Sequence, residues 1–85
     1  MAKIQLRYMC RFCELAQTPV EDREVSCATF QELISLLDQL YPGFAREWYN
    51  RIGERHECTL RRAETASINP EPEEPVLEGD CYGFY

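Results

Sequence analysis

The chain has 85 residues, which suits one folded domain and leaves little room for a second. Its formal net charge is -6, from 15 acidic and 9 basic residues, which opposes electrostatic binding to nucleic acid or to an anionic membrane surface. No apolar run approaches the ~20 residues of a membrane-spanning helix, and the N-terminus lacks the apolar core of a signal peptide. Because the five cysteines cannot all pair within the chain, we expect a reduced protein of the cytoplasm.

Alternating polarity at the N-terminus predicts a β-strand that runs to Tyr8. Its apolar side carries Ile4, Leu6 and Tyr8, and its polar side carries Lys3, Gln5 and Arg7. Residues 9–16 are richer in apolar side chains and lead to a turn at Pro19. A second, weaker strand is predicted over residues 23–27.

The clearest local signal is a helix that begins after Thr29. Thr29 and Glu32 have the spacing of a capping box, in which Glu32 reaches back to the start of the helix. The apolar residues that follow recur at helical spacing: Phe30, Leu33, Ile34, Leu37 and Leu40. Pro42 and Gly43 end the helix, and residues 44–49 predict a short helical turn that packs Trp48 on the core.

The C-terminal half predicts two more strands separated by a long loop. Residues 56–62 alternate, with Cys58 and Leu60 inward and with Thr59 and Arg61 outward. Residues 69–75 form an acidic, proline-rich loop that a sheet could not accommodate. The last strand alternates at Tyr82 and Phe84. We therefore predict an α+β fold with one principal helix, residues 30–40, across a mixed sheet of four or five strands.

Three stretches, in order along the chain, resemble one known family. They are Leu-Arg-Tyr-Met-Cys-Arg-Phe-Cys-Glu-Leu at residues 6–15, the helix with its Tyr-Pro-Gly end at residues 29–43, and Pro-Val-Leu-Glu-Gly-Asp at residues 75–80. Together they resemble the ubiquitin-like sulfur-carrier group, which includes the small subunit of molybdopterin synthase and the thiamin sulfur carrier. The resemblance implies a single β-grasp domain over residues 1–85. It also implies docking on a larger protein, either an E1-like adenylyltransferase or a protein like the synthase large subunit.

The β-grasp order and strand alternation together predict a partner-binding face. In that order the first and last strands are parallel neighbours, and the strand over residues 56–62 lies beside the last. Since the side-chain period of a strand is two, the residues that face away from the helix are Gln5, Arg7, Thr59, Arg61, Cys81 and Tyr85. We expect four of these to bind the partner: Arg7, Arg61, Cys81 and Tyr85. An ordinary solvated sheet face is the alternative.

No catalytic residue, metal ligand or cofactor is predicted. Cys10-x-x-Cys13 lacks the second ligand pair of a zinc site, and the resemblance places Cys10 at a packed position and Cys13 on the surface. His56, the single histidine, has no catalytic partner near it in sequence, and the acidic loop lacks the ligand order of a calcium site. We expect a non-enzymatic docking protein, with a cysteine-based metal or redox protein as the other functional class.

The end of the sequence bears on sulfur transfer. Sulfur carriers of the group extend past the last strand and finish in Gly-Gly, whose carboxylate is adenylated and then thiolated. This sequence finishes in Gly83-Phe84-Tyr85. Three interpretations are open: a relative without the tail, a sulfur carrier whose tail is missing from this chain, or a protein modified at Tyr85. We expect non-covalent docking.

The 85-residue polypeptide is therefore expected not to form a thiocarboxylate. Incubation with an E1-like enzyme, ATP and a sulfur donor should leave its intact mass unchanged, because no glycine carboxylate is presented for adenylation. A carrier that ends in Gly-Gly is the positive control. A mass gain equal to the exchange of one oxygen for one sulfur would contradict this expectation.

Overall fold

The computed structural model describes residues 1–51 and 56–85. Its helices and strands are β1 (Ala2–Tyr8), α1 (Arg11–Ala16), β2 (Val20–Val25), α2 (Phe30–Leu40), α3 (Phe44–Arg51), β3 (Cys58–Arg62), β4 (Thr65–Ile68) and β5 (Cys81–Phe84). The strands form one sheet in the order β2-β1-β5-β3-β4, in which β1 and β5 are parallel and the other neighbours are antiparallel. The predicted α+β class, the mixed sheet and the central position of the first and last strands are confirmed.

The core lies between the inner face of the sheet and the helices. Every residue that strand alternation placed inward is buried: Ile4, Leu6, Tyr8, Cys58, Leu60, Tyr82 and Phe84. Phe84 on β5 lies at the centre of an aromatic cluster. Its ring centroid is 5.1 Å from that of Phe44 and 5.7 Å from those of Phe12 and Trp48. The central strand therefore contacts all the helices through one side chain, since Phe30 of α2 also stacks on Phe84.

Helix α2 has the predicted bounds, Phe30–Leu40. Thr29 is its N-cap, and the Thr29 hydroxyl oxygen accepts a hydrogen bond from the backbone N–H of Glu32 at 3.3 Å. The second half of the predicted capping box differs. The Glu32 carboxylate accepts from the Thr29 hydroxyl group at 3.3 Å, whereas a capping box would direct it to the backbone N–H of Thr29.

The acidic, proline-rich loop completes the N-terminal cap of α2. The N–H of Phe30 donates to the carbonyl of Glu74 at 2.8 Å, and the N–H of Gln31 donates to the carbonyl of Pro72 at 2.9 Å. These are two of the four N–H groups that a helix leaves without an internal partner. The loop is thus outside the sheet, as predicted, and fixed to the helix.

Strand β2 occupies Val20–Val25, so the prediction of residues 23–27 was displaced. It pairs with β1 from Arg7 opposite Val20 to Ala2 opposite Val25. The inward positions of β2 include Glu21, whose carboxylate accepts hydrogen bonds from buried Tyr8 at 2.7 Å and from Tyr41 at 2.5 Å. Because a charged residue occupies an inward position, the sequence lacks the apolar alternation that would have predicted this strand at its observed position.

Two elements, α1 and β4, were not predicted, and the predicted extents of α3 and β3 were wrong. Helix α1 is only six residues long and buries only Phe12, which is too little for a helical pattern. Strand β4 has only four residues and is exposed along its whole length, so it carries only a short and weak strand pattern. Helix α3 continues to Arg51, and β3 begins at Cys58 rather than at residue 56.

Asp80 connects the start of β5 to the neighbouring strands. Arg62 of β3 donates to both of its carboxylate oxygens, from Nε and Nη2, each at 2.9 Å. The N–H of Leu77 donates to the same carboxylate at 2.9 Å, and the Asp80 carbonyl accepts from the N–H of Gln5 on β1 at 3.0 Å. Asp80 is 1% exposed, so this pair is largely withdrawn from water.

The charge of Asp80 is stabilised in the folded state. Burial favours the neutral carboxyl group, but hydrogen bonds from Arg62 and from the Leu77 N–H outweigh it and hold the pKa of Asp80 below its usual range. The contact with Asp80 also raises the pKa of Arg62. A carboxylate with a depressed folded pKa contributes stability above its unfolded pKa of about 3.9, and that stability is lost as the pH falls through the folded value.

Replacement of Asp80 by asparagine should lower the free energy of unfolding at pH 7 by about 2 kcal/mol, because Arg62 then loses the buried one of its two carboxylate partners and keeps only Glu74. The difference between parent and Asp80→Asn should shrink as the pH is lowered below about 4. Urea unfolding followed by Trp48 fluorescence measures both. Asp22→Asn, at an exposed position on β2, is the matched control, with an expected change of about 0.5 kcal/mol or less. A pH-independent difference would contradict the assignment.

Candidate functional site

The outer face of the sheet, turned away from the helices, carries the residues predicted for partner binding. Two rows of paired residues cross its centre. In one, Arg7 of β1 lies opposite Gly83 of β5, which lies opposite Thr59 of β3. In the other, the paired residues are Gln5, Cys81 and Arg61. The three central strands thus bring together side chains that are up to 76 positions apart in the sequence.

A depression of about 250 Å³ lies at the centre of this face. We call it the arginine depression, and it is lined by Arg7, Thr59, Arg61, Cys81, Gly83 and Tyr85. All four residues predicted to bind a partner are among these. Their position on one exposed face is therefore as expected, and their role in binding stays a prediction.

Gly83 forms the floor of the arginine depression. A Cβ atom at this position would lie 2.8 Å from the Thr59 hydroxyl oxygen and 3.2 Å from the hydroxyl oxygen of Tyr85. The missing side chain therefore leaves the space into which the Tyr85 ring folds. The alternation of Tyr82 and Phe84 predicted this strand, but the sequence did not predict that Tyr85 would fold over Gly83.

A second depression, of about 380 Å³, adjoins the first and is more apolar. We call it the apolar depression, and it is lined by Arg7, Tyr8, Met9, Pro19, Val20 and Tyr85. Arg7 and Tyr85 are shared by both. Met9, Val20 and Tyr85 are between 38% and 48% exposed, so apolar surface lies in water next to two guanidinium groups. Apolar surface flanked by arginine and tyrosine is typical of protein interfaces.

A short hydrogen-bond network fixes Arg7. The Nε of Arg7 donates to Oε1 of Gln5 at 3.0 Å, and the thiol of Cys81 donates to the same oxygen at 3.5 Å. The Gln5 amide nitrogen in turn donates to Asp22 at 3.4 Å. The Arg7 side chain is thus held through Nε, and this contact does not use the two terminal nitrogens of its guanidinium group.

The two arginines of this face differ from others in the protein. Arg62, next to Arg61 in sequence, binds Asp80 and Glu74, and Arg23 binds Glu21. Within residues 1–51 and 56–85, neither Arg7 nor Arg61 forms an ion pair. Two arginines without an ion pair among the described residues therefore line one depression, on a protein whose formal net charge is -6.

Tyr85 is held at the edge of this face by its backbone. Its N–H donates to the carbonyl of Glu57 at 2.9 Å, and its carbonyl accepts from the N–H of Glu57 at 3.2 Å. Nδ1 of buried His56 donates to the same carbonyl at 3.0 Å, and Nε2 of His56 lies 2.7 Å from a carboxylate oxygen of Glu47. His56 thus positions Tyr85. The sequence did not reveal this, because Glu47 lies on α3 and tertiary packing alone brings it to His56.

The cysteines form no apparent functional cluster in the part of the chain that is described. All five are free thiols, and residues 1–51 and 56–85 contain no group of three or more potential metal ligands. Burial raises the pKa of the Cys58 thiol, with a smaller contribution from Cys81, and burial also raises that of Cys27. The expected positions of Cys10 and Cys13 are reversed.

That reversal has a backbone cause. Cys10 is exposed and adopts a positive φ of 55° at the start of α1, while half-buried Cys13 packs on the core. The turn at Cys10 directs Phe12 into the core, and Cys13 follows on the same short helix.

No helix in the described residues is long and apolar enough to cross a membrane.

Comparisons with known proteins give structural matches only. No protein-family model matches the sequence, and no curated protein matches it. The structure is similar to molybdopterin converting factor, subunit 1, from Pyrococcus furiosus, with a TM-score of 0.70 and 19% identity over 99% of this chain and 95% of that one. It is also similar to SAMP1 from Haloferax volcanii, with a TM-score of 0.67 and 17% identity over 99% of this chain and 93% of that one.

The chain has a ubiquitin-like β-grasp fold. Both matches span nearly the whole of each chain, so the similarity concerns the fold as a whole. The resemblance read from residues 6–15, 29–43 and 75–80 is confirmed at the level of the fold, which is that of ubiquitin-like sulfur carriers. The β-grasp fold places the arginine depression on the open face of the sheet.

Proposed function

We propose that this protein is a non-enzymatic, sulfur-carrier-like member of the β-grasp fold that docks on a larger enzyme through the outer face of its sheet. The partner is an E1-like adenylyltransferase or a protein like the large subunit of molybdopterin synthase. Residues 1–85 act as one domain, and Arg7, Arg61, Cys81 and Tyr85 contact the partner. A cytoplasmic location agrees with five free thiols.

The observation that carries this proposal is the composition of the outer face. Strong binding sites on proteins combine a few aromatic and arginine residues with surrounding apolar surface. Here Tyr85 and Arg7 lie where the arginine and apolar depressions meet, and exposed Met9 and Val20 flank them. An ordinary solvated sheet face would carry mainly polar side chains at these exposed positions.

A second candidate function is sulfur carriage for the biosynthesis of a cofactor such as molybdopterin. The nearly complete structural match to a molybdopterin converting factor subunit supports it. Both candidates require docking, and they differ in whether the protein carries sulfur covalently. The mass measurement with an E1-like enzyme, ATP and a sulfur donor separates them, because only a carrier gains sulfur.

The cysteine-based alternative has less support. Metal binding and thiol redox chemistry use the thiolate, so they favour cysteines with a lowered pKa. The pKa values of Cys58 and Cys27 are raised by burial. Exposed Cys10 and half-buried Cys13 are close in sequence, but the described residues add no third ligand to them.

Replacement of Tyr85 by alanine should weaken binding to the E1-like or large-subunit-like protein of the same organism by about 2 kcal/mol or more, because an interface tyrosine is lost from between two depressions. Isothermal titration calorimetry measures the affinity. Tyr49→Ala is the matched control, since Tyr49 is 52% exposed on α3, in the other layer of the protein.

The control should bind as the parent does, and both variants should unfold at the parent's temperature. Unchanged affinity in Tyr85→Ala, together with weaker binding in Tyr49→Ala, would place the interface on the helical layer. No binding of the parent to either enzyme class would contradict the docking function itself.

A further inference from the structure

Arg7 and Arg61 line the arginine depression from opposite sides. Arg7 extends from β1 and Arg61 from β3, with β5 and its Gly83 between them. Because neighbouring strands are about 4.8 Å apart, β1 and β3 are separated by roughly 10 Å, a span that two long side chains can bridge around one small group. We propose that an aspartate or glutamate carboxylate of the docked partner seats over Gly83, between Arg7 and Arg61. This inference rests on the proposed docking function.

The energetics of covering this face require an anion. In the free protein both guanidinium groups are exposed, and water screens them. A partner that covers the arginine depression removes that water, and a buried charge without a counter-charge is strongly unfavourable. Among the described residues no carboxylate forms an ion pair with Arg7 or Arg61, and an aspartate or glutamate of the partner can supply one.

Arg7 is already oriented for such a contact. Its Nε donates to Gln5, and Gln5 is held in turn by Asp22. The two terminal nitrogens of Arg7 form no hydrogen bond within residues 1–51 and 56–85, and these can donate in parallel to the two oxygens of a carboxylate. The loss of side-chain freedom on binding is smaller for an arginine that is already fixed at its inner nitrogen.

The floor of the depression adds neutral donors. The hydroxyl oxygens of Thr59 and Tyr85 both lie within about 3.2 Å of the place that a Cβ of Gly83 would occupy. Hydroxyl groups at this depth can donate to a carboxylate that two arginines hold from the sides. A Cβ atom at residue 83 would instead press on the hydroxyl oxygens of Thr59 and Tyr85 and displace these donors.

The surroundings favour a carboxylate on a protein over a free anion. The row that contains Arg7, Gly83 and Thr59 ends in Val20 on β2 and Ile68 on β4. Both end residues are exposed, at 45% and 61% respectively, and a small ion would leave them in water. A formal net charge of -6 also opposes nucleic acid and anionic lipid as ligands. A protein surface can cover both exposed residues, Val20 and Ile68, and supply the carboxylate at the same time.

The test compares substitutions that change the charge, the geometry or the space of the depression. Calorimetry and surface plasmon resonance are carried out with the enzyme that binds the parent. Arg7→Gln and Arg61→Gln should each raise the Kd roughly 10- to 100-fold, and Arg61→Lys should restore only part of the loss. Gly83→Ala keeps both charges, but its Cβ would lie 2.8 Å from the Thr59 hydroxyl oxygen, so it should displace the donors on the floor and weaken binding chiefly through faster dissociation. Arg46→Gln, an exposed arginine on α3, should bind as the parent does.

The outcomes separate this inference from the docking function. Parent-like affinity in both glutamine variants, with Tyr85→Ala still weakened, would overturn the carboxylate site and leave docking intact. Full rescue by Arg61→Lys together with parent-like dissociation of Gly83→Ala would show long-range attraction without a seated carboxylate. Submillimolar binding of inorganic phosphate to the free protein, seen as a shift of the Gly83 amide signal, would make this a free-anion site and overturn the proposal. Failure of the parent to bind would overturn both.

Discussion

The ion pair between Asp80 and Arg62 determines where the central strand lies. Asp80 immediately precedes β5, and it is bonded to β3 through Arg62, to β1 through Gln5 and to its own turn through Leu77. Strand β5 must fit between β1 and β3, two strands that are far apart in the sequence. Just before the strand, the bidentate pair with Arg62 fixes its register against β3, and the Asp80 carbonyl fixes it against β1. Since side chains alternate along a strand, that register decides which residues of β5 reach the core and which reach solvent.

The two sides of β5 perform different tasks within four residues. Inward-facing Phe84 contacts aromatic side chains from every helix, which couples the sheet to the helical layer. On the outward side, Gly83 leaves the space that Tyr85 and the arginine depression share. A slip of one residue would place glycine in the core and phenylalanine in water. The stability of the fold and the shape of the candidate site thus depend on the same hydrogen bonds.

The sequence predicted those parts of the molecule in which local pattern and tertiary burial agree. Helix α2 has both an N-cap and an apolar stripe, and the outward positions of the central strands follow from period two, so Arg7 and Arg61 could be assigned to one face. Strand β4 is exposed on both sides and β2 has Glu21 inward, so neither carries a clear apolar pattern. The support of Tyr85 by His56 and Glu47 depends on packing between distant segments, which no local pattern encodes.

The central claim is that the outer face of the sheet binds a larger enzyme. Heteronuclear NMR of the labelled protein, recorded during titration with the enzyme, tests it most directly because each backbone amide signal reports the environment of its own residue. Signal changes are expected to concentrate in β1, β3 and β5, with the largest changes around Gly83 and Tyr85. Changes concentrated in α2 and α3, with the signals of the outer face unaltered, would contradict it.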